Sequence, residues 1–264
     1  MSFHTHIKRI FEISKKFPYL CIMILLLGDI HGNFNYLMKH IEKTKIDNCI
    51  IIQVGDFGIG FTNEDNDTRF LLGFNDFLSK KNITLYAIRG NHDNPDFFKG
   101  QHKYSNLELL PDYTVLNLEN KNFLFVGGAV SIDRKPRILE NMKYARYGSR
   151  RRTYWYDEKV TYNEDLIKEF RDIDILVTHT APDFCLPTNK LGFGDLVETF
   201  CTDDENLKEE LIEERTVMTK MWNILNENNK IQKHFYGHFH RSNIEQIVDC
   251  EHRLLNINEL YELR

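Results

Sequence analysis

The chain alternates short apolar runs with amphipathic stretches. Cys21 to Leu27, Cys49 to Val54 and Ile83 to Ile88 read as buried β-strands. Between them, Asn35 to Lys45 carries apolar residues at Tyr36, Leu37 and Ile41. Thr68 to Lys80 carries them at Phe70, Leu71, Phe74, Phe77 and Leu78, so both stretches predict helices. Strand, helix, strand, helix, strand predicts an α/β core with parallel strands. Further on, Tyr113 to Leu118 and Asn122 to Val126 flank Glu119-Asn120-Lys121 as a hairpin, and Ile173 to Thr178 reads as another buried strand. Asp203 to Glu227 predicts a long helix with Leu207, Leu211, Val217, Met218, Trp222 and Leu225 on its apolar face. Short strands follow at Phe235-Tyr236, Asn243 to Val248 and Arg253 to Ile257. There is no internal repeat, and the two halves read as two packed sheets with helices outside.

Composition sets limits on this picture. A 264-residue chain with 42% hydrophobic and 12% aromatic residues can build a sizeable core, so it is not a disordered chain. With no clear linker, the expectation is one domain over 1-264 with a basic insert at about 129-160. The run Leu20 to Leu27 is too short to span a bilayer, which needs about 20 residues. It ends in Gly28-Asp29-Ile30-His31 rather than a cleavage site, so it reads as a strand and not a signal peptide. The five cysteines form no CxxC pair and read as reduced structural thiols, which implies a cytoplasmic protein.

Candidate chemistry gathers where the apolar runs end. Five such ends carry metal-ligand residue types: Gly28-Asp29-Ile30-His31-Gly32, Gly55-Asp56-Phe57-Gly58, Gly90-Asn91-His92-Asp93, Thr178-His179-Thr180 and Gly237-His238-Phe239-His240. In α/β proteins, sites form beyond the carboxyl ends of strands, and glycines there permit sharp turns and close approach. Taken singly, each block has an ordinary explanation: a helix cap for Asp29, a turn for Asp56, an Asx turn for Asn91, a core histidine for His179. His238-x-His240 would place both imidazoles on one side of a strand. Five blocks together are hard to obtain by accident.

In this order, the blocks resemble the calcineurin-like metallophosphoesterase superfamily, and the resemblance runs from residue 28 to 240. It implies a four-layer α/β/β/α sandwich of two mixed sheets flanked by helices. It also implies two divalent ions, one held by Asp29, His31 and His240, the second by Asn91, His179 and His238, with Asp56 shared between them. Such mixed donors suit Mn, Fe, Zn or Ni, with Mn favoured, rather than Ca. The implied reaction is attack on phosphorus by a metal-bridging hydroxide, with His92 protonating the leaving oxygen. Asp93 then holds the His92 tautomer or merely caps a turn.

The substrate class is less legible. Arg89-Gly90-Asn91-His92-Asp93 looks like the block of phosphoprotein phosphatases, which favours a phosphomonoesterase of Ser/Thr-phosphatase-like type. Against it, Gly55-Asp56-Phe57-Gly58-Ile59-Gly60 lacks the arginine that normally clamps phosphate there. Arg89 either lies near the site or pairs with a structural carboxylate. From Arg134 to Arg152 the local charge is +7, and from Asp195 to Glu214 it is −8, within a net charge of −5. The first segment, with Arg134 and Arg137 and aromatic flanks, reads as a substrate-facing lobe or as a solvated loop. The second reads as a solvated face, or as a partner for the first. Two other functions fit the sequence: a phosphodiesterase or nuclease acting on nucleic acid or cyclic nucleotides, and a non-catalytic metal-binding scaffold. The expected partner is a phosphorylated substrate, with nucleic acid possible and no membrane. Oligomeric state is not legible.

Overall fold

A computed structural model describes residues 22–187 and 194–264. Two mixed sheets pack face to face with helices outside. The first has the order β11-β1-β2-β3-β4 and the second β5-β6-β7-β8-β10-β9. In the first, β1 (Met23–Leu27), β2 (Cys49–Gln53), β3 (Ile83–Ala87) and β4 (Leu107–Leu109) run parallel, and β11 (Leu260–Glu262) closes the edge antiparallel to β1. In the second, the hairpin β5 (Thr114–Leu118) and β6 (Lys121–Val126) leads to β7 (Ile175–Thr178), β8 (Lys233–Tyr236), β10 (Cys250–Leu254) and β9 (Asn243–Ile247). The pairs β6/β7, β7/β8 and β8/β10 are parallel, and β10/β9 is antiparallel.

The layers follow from the period-2 alternation of the strands. Leu25 and Leu27 of β1 face α1 (Phe34–Thr44) and α2 (Glu64–Lys80), joining Phe34, Leu37, Ile41, Leu71, Phe74 and Leu78. Ile24 and Leu26 point the other way and meet Phe123, Phe125, Ile175, Val177 and Phe235 between the sheets. On the far face, Leu124 and Leu176 pack under Met218, Met221, Trp222 and Leu225 of the last long helix, Leu207–Asn228. Helix, sheet, sheet, helix is the expected four-layer order.

Most elements form where the apolar pattern places them, with ends moved by a few residues. Helix α2 starts earlier than its apolar residues do. Asn63 caps it by accepting from the Asn66 N–H at 2.9 Å, and Glu64, Asp65 and Asp67 fill the first turn, where a negative charge favours the helix dipole. The basic insert is not a plain loop. Residues Arg134–Arg146 form helix α3, whose buried residues are Arg134 and Arg137 while Leu139 and Met142 face out. A short helix α4, Glu164–Ile167, precedes β7. The helix expected over Asp203 to Glu227 starts at Leu207, as α6 (Leu207–Asn228), and a separate helix α5 (Gly194–Asp203) precedes it. The break between them falls at Asp204, whose carboxylate is held by Arg134. Among the described residues no helix is long and apolar enough to cross a membrane.

Candidate metal centre

The carboxyl ends of β1, β2, β3, β7 and β8 bring the five blocks together. Short loops do this, and their backbone is set for it. His31, Asp56, His238 and His240 all have positive φ, at 49°, 55°, 69° and 50°. That left-handed region costs energy for non-glycine residues and is concentrated at functional sites. His238 and His240 therefore lie in a left-handed loop after β8, not along a strand. The loops are stitched to one another. The N–H groups of Ile30 and His31 both donate to the Asp56 carbonyl, at 3.0 and 2.8 Å, and the Gly32 N–H donates to that of Phe57. Gly90 has to be glycine, because a Cβ there would collide with the Asp56 carboxylate and the His179 ring.

Two donor sets share Asp56. Its Oδ2 lies 3.7 Å from His31 Nε2, and its Oδ1 lies 3.2 Å from His179 Nε2. On the first side, Asp29 Oδ2 is 3.3 Å from His240 Nε2 and 3.9 Å from His31 Nε2, and the two imidazole nitrogens are 2.9 Å apart. On the second side, His238 joins Asp56 and His179, all with ligand atoms within 4.8 Å of one another. Asn91 completes that side, with its Oδ1 3.1 Å from His179 Nε2. All seven predicted ligands thus converge.

The protons show what these atoms fit. His179 Nδ1–H donates to the Val54 carbonyl at 2.8 Å, which leaves Nε2 as a lone pair. Asn91 Nδ2 donates to Ser131 Oγ at 3.0 Å, which turns its Oδ1 inward. His179 Nε2, Asn91 Oδ1 and Asp56 Oδ1 are then three acceptors facing one another, an arrangement completed by a cation. Charge shows what such a cation would replace, a proton on His179 Nε2. Burial would raise Asp56, but His179, His92 and His31 around it hold its carboxyl well below the usual range. Burial would lower His179, but Asp56 outweighs it and pushes it up to about 9. Burial and the neighbouring His179 keep His238 well below the ordinary histidine range, so it stays a neutral ligand. Exposure differs between the sides: His179 is fully buried, whereas His31 and His240 face solvent and open the centre to a substrate.

His92 stands beside this centre. Its ring meets that of His31 at 5.1 Å between centroids, and its backbone N–H donates to Asp56 Oδ1 at 2.7 Å. Burial lowers it to about 4, against the opposing pull of Asp56. Asp93 does not hold the His92 ring. Its carboxylate accepts from the N–H groups of Phe57 (3.0 Å), Gly58 (2.6 Å), Ile59 (3.2 Å) and Gly90 (2.7 Å), so it ties the Asp56 loop to the Asn91 loop. Of the two roles left open by the sequence, the structural one matches these bonds, which brace the two loops. Burial, with Asp56 nearby, pushes it up to about 6.

The three arginines expected at the substrate are engaged elsewhere. Arg89 bonds Asp112 through Nε and NH2, at 3.1 and 2.7 Å, and the carbonyls of Glu158 and Lys159. Arg134 is clamped between Asp204 and Glu210, at 2.6 Å to each. The basic segment therefore docks on the acidic one, and Lys159 adds a second contact to Glu210. Arg137 reaches the site only from behind. It donates to the Asn91 carbonyl at 3.1 Å and to Ser131 Oγ at 2.5 Å.

Sequence reasoning did not single out Ser131 and Glu158 as site residues. Ser131 fixes the Asn91 amide, and Glu158 accepts from both the N–H and the hydroxyl of Ser131 at 2.7 Å. The signal was present: β6 also ends in glycines, Gly127-Gly128, before Ser131. The stretch from Gly128 through Ser131 and Arg137 to Glu158 is distinctive and resembles a small-phosphoesterase subgroup, but serine is not a metal-ligand type, so Ser131 does not read as a site residue.

A model of the family described as calcineurin-like phosphoesterase matches residues 22–242. No curated protein matches significantly. Solved structures that match include the anchor GAP50 of the inner membrane complex of Plasmodium (16% identity, 89% of this chain and 71% of that one, TM-score 0.43). A putative 5'-nucleotidase from Staphylococcus aureus matches at 10% identity and TM-score 0.43. The match covers 91% of this chain and 50% of that one, so the chain spans half that protein's length. A phosphopantetheinyl hydrolase from Mycobacterium tuberculosis matches at 11% identity and TM-score 0.41, over 90% and 92% of the two chains. With the family model covering most of the chain, and the donor sets in place, the chain belongs to the calcineurin-like phosphoesterases and is a metal-dependent phosphoesterase.

Proposed function

We propose that the chain hydrolyses phosphodiesters, with His92 as the proton donor to the leaving oxygen. The family fixes phosphoester hydrolysis but not the ester. Asp29, His31, Asp56, Asn91, His179, His238 and His240 would hold divalent ions, with Mn as the favoured ion, and these would supply charge for the phosphoryl oxygens and activate water. The chain's own residues do the rest. Asp56 ties both donor sets to one position. Ser131 and Arg137 keep the Asn91 oxygen turned inward. His92, placed beside His31 and held by its backbone N–H on Asp56, faces the position of a leaving group. Burial keeps the free imidazole neutral, and the negative charge of a bound ester opposes that effect, favouring a proton on His92 when substrate is present.

The observation that carries the ester class is the fate of the arginines. A monoester dianion calls for cationic donors beyond the ions, and Arg89, Arg134 and Arg137 are all spent on protein groups. A diester carries one negative charge fewer. The exposed residues Arg150, Arg151 and Arg152 support a polyanionic diester such as nucleic acid: the Arg152 N–H donates to the Phe61 carbonyl, which seats this basic stretch beside the loop following Asp56. The phosphomonoesterase reading rests on the Arg89 string, and Arg89 is turned to Asp112. We place the activity in the cytoplasm on the basis of the free thiols.

A Mn-loaded panel of p-nitrophenyl phosphate, its bis ester, phosphopeptide, cyclic nucleotide and single-stranded DNA tests the ester class. Turnover is expected on the bis ester and on a natural diester. Turnover confined to monoesters would overturn it. His92→Ala should lose rate on substrates with poor leaving groups and retain it on good ones; equal retention on both would remove the proton-donor role.

A further inference from the structure

Away from the centre, three residues without a role in it meet in the core of the second sheet. His234 on β8 and His252 on β10 are direct partners in a parallel pair, so their imidazoles leave the same sheet face side by side. Cys185, in the loop after β7, comes down onto them. His234 and Cys185 are fully buried and His252 nearly so. Aromatic rings wall the cluster: Trp222 lies 4.8 Å from the His252 ring and 5.8 Å from that of His234, and Phe184 lies 5.6 Å from His252.

Hydrogen-bond accounting leaves this cluster short of protons. Thr178 Oγ1 donates to the Thr180 carbonyl at 2.5 Å, so it can only accept from His234 Nε2, 2.8 Å away. His234 Nδ1 is then a lone pair, aimed at His252 Nδ1 at 3.1 Å. Cys185 Sγ is 3.3 Å from that same His252 nitrogen. His252 Nε2 is buried with no partner. Whichever nitrogen of His252 carries its proton, a buried polar atom stays unmet, which is uncommon in a folded core.

We propose that Cys185, His234 and His252 bind a zinc-class divalent cation through one thiolate and two Nδ1 atoms, at a site separate from the catalytic centre. The three ligand atoms lie within 4.8 Å of one another. Tetrahedral zinc with usual bond lengths has edges of about 3.4 Å between nitrogens and about 3.5 Å from sulfur to nitrogen. The observed 3.1 and 3.3 Å fall only slightly inside those edges. Two imidazoles and a soft thiolate suit zinc rather than magnesium or calcium. The outer contacts are built as well: Thr178 orients His234, and Arg215 on α6 pins the Cys185 loop through the carbonyls of Pro182 (2.6 Å) and Cys185 (2.7 Å). A second thiol, Cys250, is buried on the same face of β10 two positions before His252. A cation here would tie the loop after His179 to the strand that leads into His238 and His240.

Cobalt distinguishes this site from the catalytic one, whose ligands include no sulfur. The full chain, expressed in cobalt-supplemented minimal medium so that metal enters during folding, is examined by near-ultraviolet absorption and elemental analysis. A thiolate-to-cobalt charge-transfer band is expected with the intensity of one thiolate-bound cobalt per chain, over and above the cobalt taken by the catalytic centre. It should persist in Asp56→Asn and vanish in Cys185→Ser, with the loss of one cobalt. A wild-type cobalt protein without the band overturns the site whether or not any variant folds. So does a band that survives in Cys185→Ser.

Discussion

Two regions of this chain carry strong signals in the sequence, and they behave in opposite ways. The strand-end loops at Asp29, Asp56, Asn91, His179 and His238 converge on one centre. The charged segments, +7 over Arg134 to Arg152 and −8 over Asp195 to Glu214, meet each other instead, through Arg134, Asp204 and Glu210. The lesson concerns what each pattern encodes. A ligand type next to a glycine at a strand end specifies both chemistry and place, because the sheet fixes where the strand stops. A run of charge specifies only sign, and opposite runs within one chain can satisfy each other.

The contrast is sharpest at Asp56. Asp56→Asn should lower kcat/KM on the order of 10³-fold or more, with metal content reduced by elemental analysis, because both donor sets lose their shared carboxylate. Full activity in that variant would detach the loops from the chemistry. One step further out, Ser131→Ala removes the acceptor that turns the Asn91 amide. About 10–100-fold loss in activity or metal affinity is expected, with little change in the folded spectrum.

Glu158 links the two regions and gives a pH signature. Burial pushes it up to about 8 in the folded chain from 4.5. Between those values the folded state holds a proton that the unfolded state has released. Its contribution is therefore full below about pH 4.5 and is lost as pH rises towards 8, by up to about 1.4 kcal/mol per pH unit. Denaturation of Glu158→Gln should show a flatter stability profile across that window; an unchanged slope would mean another group sets it.

On the charged side, Arg134→Ala should destabilise the chain by about 1–3 kcal/mol in chemical denaturation, since it strands two partly screened carboxylates. Its kcat/KM should stay within about twofold. A large rise in KM with unchanged stability would return Arg134 to the substrate. The smallest effect is expected from replacing Arg150, Arg151 and Arg152 together with alanine: a few-fold weaker use of a polyanionic substrate, a shallower salt dependence, and no change on a small ester.

The sandwich and the convergence of the seven candidate donors were legible because each depends on local pattern plus strand ends. Other features depend on pairing that no local pattern shows. Strand β11 is three residues long and exists through its register with β1. Helix α3 hides arginines rather than apolar residues, so hydrophobic periodicity could not announce it. Asp93 has a ligand's chemistry and a neighbour's address, yet its four backbone donors come mostly from a loop more than thirty residues away. His234 and His252 carried no usable spacing, because parallel register alone sets them side by side.

The left-handed backbone at His31, Asp56, His238 and His240 has a further consequence. Four of the donors are aimed by main-chain torsion, settled when the sheets assemble. Little conformational entropy remains to be lost when ions arrive, and little shape changes when one ion replaces another. A donor set that cannot relax penalises an ion whose radius does not match its spacing, so the backbone itself would sort cations by size as well as by hardness.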